Sequence, residues 1–308
     1  MKILVTGSNG MLGQKLVHKL MGSGHVVHAV SSGKNRMIEE SGYEYHSLDI
    51  THKESVMQLM AFLRPDCVIN SAAMTNVDAC ETDRETCWTV NVEGVKNIVS
   101  ALEAISSDTF RPHFIQISTD FVFDGEKGPY SEDDDPNPLS FYALSKLESE
   151  HVVQASNLPW TVIRTIIVYG VCDNMVRSNL VLWAKKSLEN NQSIKVIKDQ
   201  FRAPTLAEDL ADACISAAVR KAEGIFHVSG PETKPILELV YDVADFFGLD
   251  KDHIIPVTSQ ELNQPAKRPP VTGFKIDKAQ KILDYKPHTF EQGLALIKQQ
   301  LMNIKSNL

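Results

Sequence analysis

The stretch Met1-Lys2-Ile3-Leu4-Val5-Thr6-Gly7-Ser8-Asn9-Gly10-Met11-Leu12-Gly13 decides the fold. Its first half is a short apolar run, as expected of a strand buried on both faces. Its second half spaces three glycines three residues apart and runs into a helical pattern, Leu12–Met21. A strand that enters a helix through such a turn is the context of a dinucleotide site. Without side chains the turn can be tight, the backbone can approach a diphosphate, and the helix can pack close to the sheet. The amides of Gly7, Asn9, Gly10, Met11, Leu12 and Gly13, with the helix dipole behind them, are then the groups that bind the anion. The opening residues have no extended apolar segment and no small-residue cleavage site, so they are expected to form a first strand and not a signal peptide.

Beyond this turn, β-rich runs recur at Ile3–Thr6, His25–Val30, Tyr45–Asp49, Cys67–Asn70, Phe114–Ser118, Thr161–Thr165 and Ile225–Val228. Helical spacing separates them at Leu12–Met21, Lys53–Leu63 and Asn91–Ile105. Such alternation predicts an α/β fold of Rossmann type, a doubly wound parallel sheet, with a smaller mixed substrate-binding lobe. Residues 1–170 form the expected cofactor domain, to which 204–229 return, and residues 171–203 with 230–308 form the lobe. Asp124–Leu139 reads as a loop, and its acid run Glu132–Asp135 as solvated charge.

The 308 residues carry a net charge of −8, which offers no basic stripe to a nucleic acid or an anionic membrane. No stretch approaches the roughly 20 apolar residues of a membrane span. The five cysteines, Cys67, Cys80, Cys87, Cys172 and Cys214, are odd in number and contain no C-x-x-C pair. That argues against a disulfide framework and a zinc site, predicts no metal, and fits a reducing cytoplasm. Cys80 and Cys87, two helical turns apart, read as packing residues.

Enzymes that take NAD place an acid on the ribose about 20 residues beyond the glycines. Here that region reads Ala29-Val30-Ser31-Ser32-Gly33-Lys34-Asn35-Arg36, without an acid. The hydroxyls of Ser31 and Ser32 and the cations Lys34 and Arg36 favour the extra phosphate of NADPH, with NADH as the alternative. Downstream lie Ser118-Thr119-Asp120 and Tyr142-Ala143-Leu144-Ser145-Lys146. On a helix Tyr142 and Lys146 share one face, with Cβ atoms about 5–6 Å apart. Carbonyl reduction needs a proton for the developing alkoxide and donors that stabilise its oxygen, which Thr119, Tyr142 and Lys146 can supply. Lys146 is expected to depress the tyrosine pKa and make it a better acid.

On these residues the chain resembles the extended short-chain dehydrogenase/reductases and, within them, the dTDP-4-dehydrorhamnose reductases. The matching pieces are Thr6–Gly13, Pro65–Ala73, Val77-Asp78, Asn91, Ser118–Gly125, Tyr142–Lys146, Arg164-Thr165, Val168–Gly170, Asp199-Gln200 with Pro204-Thr205, and Arg268-Pro269. The resemblance implies that Thr119, Tyr142 and Lys146 are catalytic, and that Tyr142 and Lys146 also meet the cofactor. It further implies that Asp49, Ile50, Ala72 and Ala73 lie along that cofactor, and that Thr75, Val77, Asp78, Asp120, Arg202 and Arg268 face a nucleotide-sugar substrate. It leaves monomer and homodimer both open. Two departures, Met74 and Phe201-Arg202-Ala203, fall near the expected substrate and leave the particular sugar open. A 4,6-dehydratase is disfavoured because Phe121 follows Asp120 where that chemistry uses a glutamate. A 4-epimerase, which holds NAD tightly, is disfavoured by the basic loop. The remaining alternative is a non-catalytic regulatory subunit resembling the beta subunit of methionine adenosyltransferase.

Overall fold

The structure, a computed structural model, describes residues 1–306 apart from Arg177. All seven expected strands form, and they pair into one parallel sheet. They are β1 (Lys2–Thr6), β2 (Val26–Ser31), β3 (Glu44–Ser47), β4 (Cys67–Asn70), β5 (His113–Thr119), β6 (Trp160–Thr165) and β7 (Gly224–Val228). Their order across the sheet is β3-β2-β1-β4-β5-β6-β7. The order reverses direction between β1 and β4, and in such sheets ligands bind outside the carboxyl ends of the strands at that reversal. β3 ends earlier than expected, because Asp49 turns the chain by accepting from the Thr51 amide at 2.9 Å.

The central strands are apolar on both faces because helices cover both. Ile3 and Val5 join a core with Leu16, Val17 and Leu20 of α1 (Met11–Leu20). Leu4 and Val68 face the other way, towards Val56 and Met60 of α2 (Lys53–Leu63), and Val95 and Ile98 of α3 (Gly94–Ile105). Each such buried aliphatic side chain contributes about 1.5–3 kcal/mol. On that second face lies α4 (Phe141–Gln154), whose Val153 enters the same core.

A second apolar cluster lies apart from the sheet. It joins α5 (Leu180–Glu189) through Val181 and Leu188, Leu206 just ahead of α6 (Ala207–Arg220), α7 (Ile236–Phe247) through Leu239 and Val243, and α8 (Phe290–Ser306) through Leu294 and Ile297. Small residues of α6, Ala211, Ala213, Cys214, Ala217 and Ala218, pack into the sheet core instead. Ala279, Leu283 and Tyr285 also pack there. Three short ladders complete the chain: Val168–Tyr169 with Thr205–Leu206, Phe201–Arg202 with Lys234–Pro235, and Ile194–Ile197 with Ile254–Val257. No helix among the described residues is long and apolar enough to cross a membrane.

Candidate active site

The glycine turn is packed as its sequence requires. Gly7 has φ +66°, and a Cβ there would meet the Ala72 amide nitrogen at 2.7 Å. A Cβ on Gly13 would meet the Gly7 carbonyl oxygen at 2.3 Å. The first places the turn against the end of β4, and the second lets α1 approach the sheet. α1 has no side-chain cap at Gly10, so its first-turn amides are left for a ligand.

Asn9 has a different task from the amides around it. Its side chain donates to the Lys34 carbonyl at 2.9 Å and accepts from the Arg36 amide at 2.9 Å. Tyr45 on β3 closes the clasp, donating to the Gly33 carbonyl at 2.8 Å. Residues 31–36 are thereby fixed beside the glycine turn while Ser32, Lys34 and Arg36 stay exposed. Ile50 is buried against Gly94, where a Cβ would lie 2.7 Å from its Cδ1. Ala72 and Ala73 continue from the end of β4 beside Gly7.

The catalytic candidates converge at the end of β5. Thr119 is its last residue and caps the turn that follows, accepting from the Phe121 amide at 3.2 Å and donating to Asp120 at 3.1 Å. α4 begins next to it because Pro136 and Pro138 keep the approach extended and Ser140 accepts from the Ala143 amide at 3.3 Å. Tyr142 and Lys146, one turn apart on α4, are both buried. Tyr142 packs with Cys80, Cys87, Met74, Val77 and Phe121.

The electrostatics reverse one expectation. Burial pushes the Tyr142 phenol well above its ordinary value, Asp120, Cys80 and Cys87 push the same way, and the Thr119 hydroxyl opposes them. Lys146 does not lower it, because desolvation penalises a phenolate here more than a neighbouring cation favours it. The same desolvation brings Lys146 down to about 8, against the pull of Glu150 and Cys87. Near neutral pH the tyrosine therefore keeps its proton and the lysine keeps its charge. A protonated phenol beside a charged ammonium is the arrangement that a proton donor would need.

The residues expected at the substrate fall into two pairs and two single positions. Asp120 is buried, lies 3.7 Å from Arg202 Nε and accepts from the Thr272 hydroxyl. Arg202 is itself only 1% exposed and donates to the Phe201, Pro269 and Pro270 carbonyls. Both therefore anchor the segment 269–272 to the end of β5. Arg268 forms a two-bond pair with Asp78 at 3.0 and 2.8 Å, mostly buried on the arginine side and partly exposed on the aspartate side. Thr75 is exposed and Val77 packs beside Tyr142. Arg164 and Asp199 are structural: Arg164 pairs with buried Glu150, and Asp199 accepts from Ser259.

Four features were missed or misread in the sequence. Cys80 and Cys87 are not on one helix, since Asp83 ends Val77–Thr82 and caps Arg84–Trp88. A π-turn at Thr89–Glu93 precedes α3 and aims Asn91 at Ser145 Oγ, 2.9 Å away, and at the Met74 backbone. Such single-turn bulges recur at functional sites. Glu150, one turn beyond Lys146, was legible as an i, i+4 partner but not as one bound to Arg164 and Ser118. The acid run is also not all solvated, because Glu132 accepts from the His227 amide at 3.0 Å.

A glycine turn at the switch point of a doubly wound sheet, with tyrosine and lysine one turn apart on a helix beside β5, defines an extended short-chain dehydrogenase/reductase. Within that class the chain belongs to the family described as the RmlD substrate binding domain, whose model it matches over residues 1–303. It is 31% identical over 99% of its length to the probable low-salt glycan biosynthesis reductase Agl14 of Haloferax volcanii, covering 100% of that protein. It is 33% identical to the spore coat polysaccharide biosynthesis protein SpsK of Bacillus subtilis, over 87% of both chains. The beta subunit of methionine adenosyltransferase 2 from Rattus norvegicus is 29% identical over 85% of this chain and 76% of its own. A solved dTDP-4-dehydrorhamnose reductase from Clostridium acetobutylicum superposes with TM-score 0.84 at 30% identity, covering 98% of this chain and 100% of that one.

Proposed function

We propose that the chain is an NADPH-dependent reductase that converts the 4-keto group of a deoxysugar nucleotide to a hydroxyl. The observation that carries this reading is the buried Tyr142, still protonated near neutral pH, with Lys146 one helical turn away and the Thr119 hydroxyl acting on it. The residues present fit a nicotinamide dinucleotide. The side-chain-free approach of Gly7 to Ala72 and the uncapped start of α1 suit a diphosphate, while Ser32, Lys34 and Arg36 sit on a loop already held beside it. When bound, that cofactor supplies the hydride. Tyr142 gives its proton to the substrate oxygen, Thr119 orients that oxygen, and the Lys146 ammonium stabilises the phenolate that remains. Residues 1–170 and 204–229 hold the cofactor in this reading, and 171–203 with 230–308 hold the sugar nucleotide. The partly exposed Asp78–Arg268 pair joins a residue of the first part to one of the second in this reading.

The test is loss of NADPH absorbance on mixing the purified protein with dTDP-4-dehydrorhamnose, with NADH run in parallel. Rapid oxidation of NADPH supports the reading, and NADH consumed equally well overturns the cofactor preference. The Tyr142→Phe variant should bind NADPH as before and lose turnover by about 10²–10⁴-fold, the usual contribution of a positioned acid. Unchanged turnover in that variant removes the mechanism. Tight NADPH binding with no turnover of any keto sugar, together with a co-purifying synthetase, would favour a regulatory subunit, a reading supported by the likeness to the methionine adenosyltransferase beta subunit.

A further inference from the structure

On the outer edge of the sheet, along the strands β2 and β3 that precede and flank the loop 31–36, three ligand-type side chains meet. In the parallel pairing of β2 and β3, His28 stands opposite Glu44 and Val30 opposite His46. Alternate residues of a strand share a face, so Glu44 and His46 point to the same side as His28. His28 Nδ1 lies 3.1 Å from His46 Nε2 and 3.4 Å from Glu44 Oε2, and the last two atoms are 3.9 Å apart. Bonds of about 2.0–2.1 Å in a tetrahedral zinc site separate neighbouring ligand atoms by about 3.3 Å. The three observed separations bracket that value. The far nitrogen of His28, Nε2, is buried without a partner, so the polar chemistry of this ring is aimed at His46 and Glu44.

We infer that His28, Glu44 and His46 form a binding site for one divalent cation of the zinc class, tying the edge strand β3 to β2. Two imidazoles and a carboxylate are the donors that such borderline ions prefer over magnesium or calcium. The Glu44 side chain is 68% exposed, which leaves the fourth position open to water. When the ion enters, each ring ligates as a neutral imidazole: the hydrogen between the two rings moves to an outer ring nitrogen, and only a ring that was charged releases a proton to solvent. No sequence motif announces this site, because His28 and His46 come together only through strand pairing.

The experiment uses the full, untagged chain, stripped with chelator and titrated with Zn²⁺ in competition with a chromophoric zinc indicator. One equivalent should bind. His46→Ala and Glu44→Gln should each weaken it by more than the roughly tenfold that loss of an outer-shell partner costs. Both side chains are at least partly exposed, and Glu44→Gln stands alone as the readout if His46→Ala does not fold. Substituted Co²⁺ should show the visible bands of a tetrahedral nitrogen and oxygen site without a thiolate charge-transfer band. Absence of stoichiometric binding, full affinity in both variants, or a thiolate band pointing to the cysteines would each overturn the inference.

Discussion

At the scale of single residues, the environment of Lys146 makes a pH prediction. Its ammonium loses its proton at about 8, brought down first by burial. In the proposed mechanism, the phenolate that follows proton transfer has a cation beside it only below that value. The rate of keto-sugar reduction should therefore fall as pH rises through about 8, and a kcat/KM profile measures this directly. Tyr142 adds no limb of its own near neutrality, because burial holds it protonated. The sequence shows that tyrosine and lysine share a helix face, since spacing alone decides that. It cannot show the sign of their pKa shifts, which depend on how much water the folded chain removes from Cys80, Cys87 and Met74 around them.

At the scale of elements, α4 is fastened to the sheet by an ion pair with no solvent access. Glu150 accepts both Arg164 Nε, at 3.0 Å, and Arg164 Nη2, at 2.7 Å, as well as the Ser118 hydroxyl. Removing one partner of a buried pair leaves the other charge uncompensated and costs about 3–5 kcal/mol. Glu150→Gln should show that loss in urea unfolding. Because Glu150 also pulls the Lys146 pKa upward, the same variant should move the alkaline fall in activity to lower pH. A second element is the turn before α1. Gly13→Ala places a methyl 2.3 Å from the Gly7 carbonyl and should destabilise the protein by about 1–3 kcal/mol, the usual range for overpacking, and weaken NADPH binding in a titration. Central strands such as β1 and β4 were legible because parallel strands buried on both faces read as continuous apolar runs, whereas the half-exposed edge strand β3 was legible only by its place in the alternation. The two-residue ladders at Val168–Tyr169 and Phe201–Arg202 were not, since a pair of residues carries no period. The break at Asp83 was hidden because one helix and two short helices space cysteines alike.

At the scale of the whole molecule, acid should separate the pieces that meet above β7. His227 stacks on Phe274 with ring centroids 3.9 Å apart, and its Nδ1 lies 3.1 Å from the Tyr130 carbonyl. Burial, with Arg164 nearby, brings its pKa down to about 3. His113, buried between β5 and β6 against Thr161, falls to about 4. An unfolded histidine takes its proton near 6.5, so below that pH the unfolded chain binds more protons than the folded one. The stability these rings contribute is complete above pH 6.5 and is lost as pH falls towards 3–4. Each tenfold loss of proton affinity on folding is worth about 1.4 kcal/mol, so the two rings together account for several kcal/mol. Urea midpoints at a series of pH values should show the decline, and His227→Gln should flatten it. The sequence marks only where the strand pattern loosens, after Thr165. The return of Ala279, Leu283 and Tyr285 to the sheet core escaped that reading, because apolar residues late in the chain do not reveal which of two cores they join.

The clasp that Asn9 makes on the Lys34 and Arg36 backbone has a consequence for how such a protein can change over generations. The path of the chain at residues 31–36 is set by Asn9 and Tyr45 from below and by Asn35 within it, not by the exposed side chains of Ser32, Lys34 and Arg36. Ser32, Lys34 and Arg36 can be exchanged without refolding anything, since each projects from a backbone already fixed. In the proposed reading, preference between one dinucleotide and the other becomes a trait a lineage can alter by a few surface mutations, while Asn9, which holds the backbone of the loop, is the position where a mutation would harm the fold.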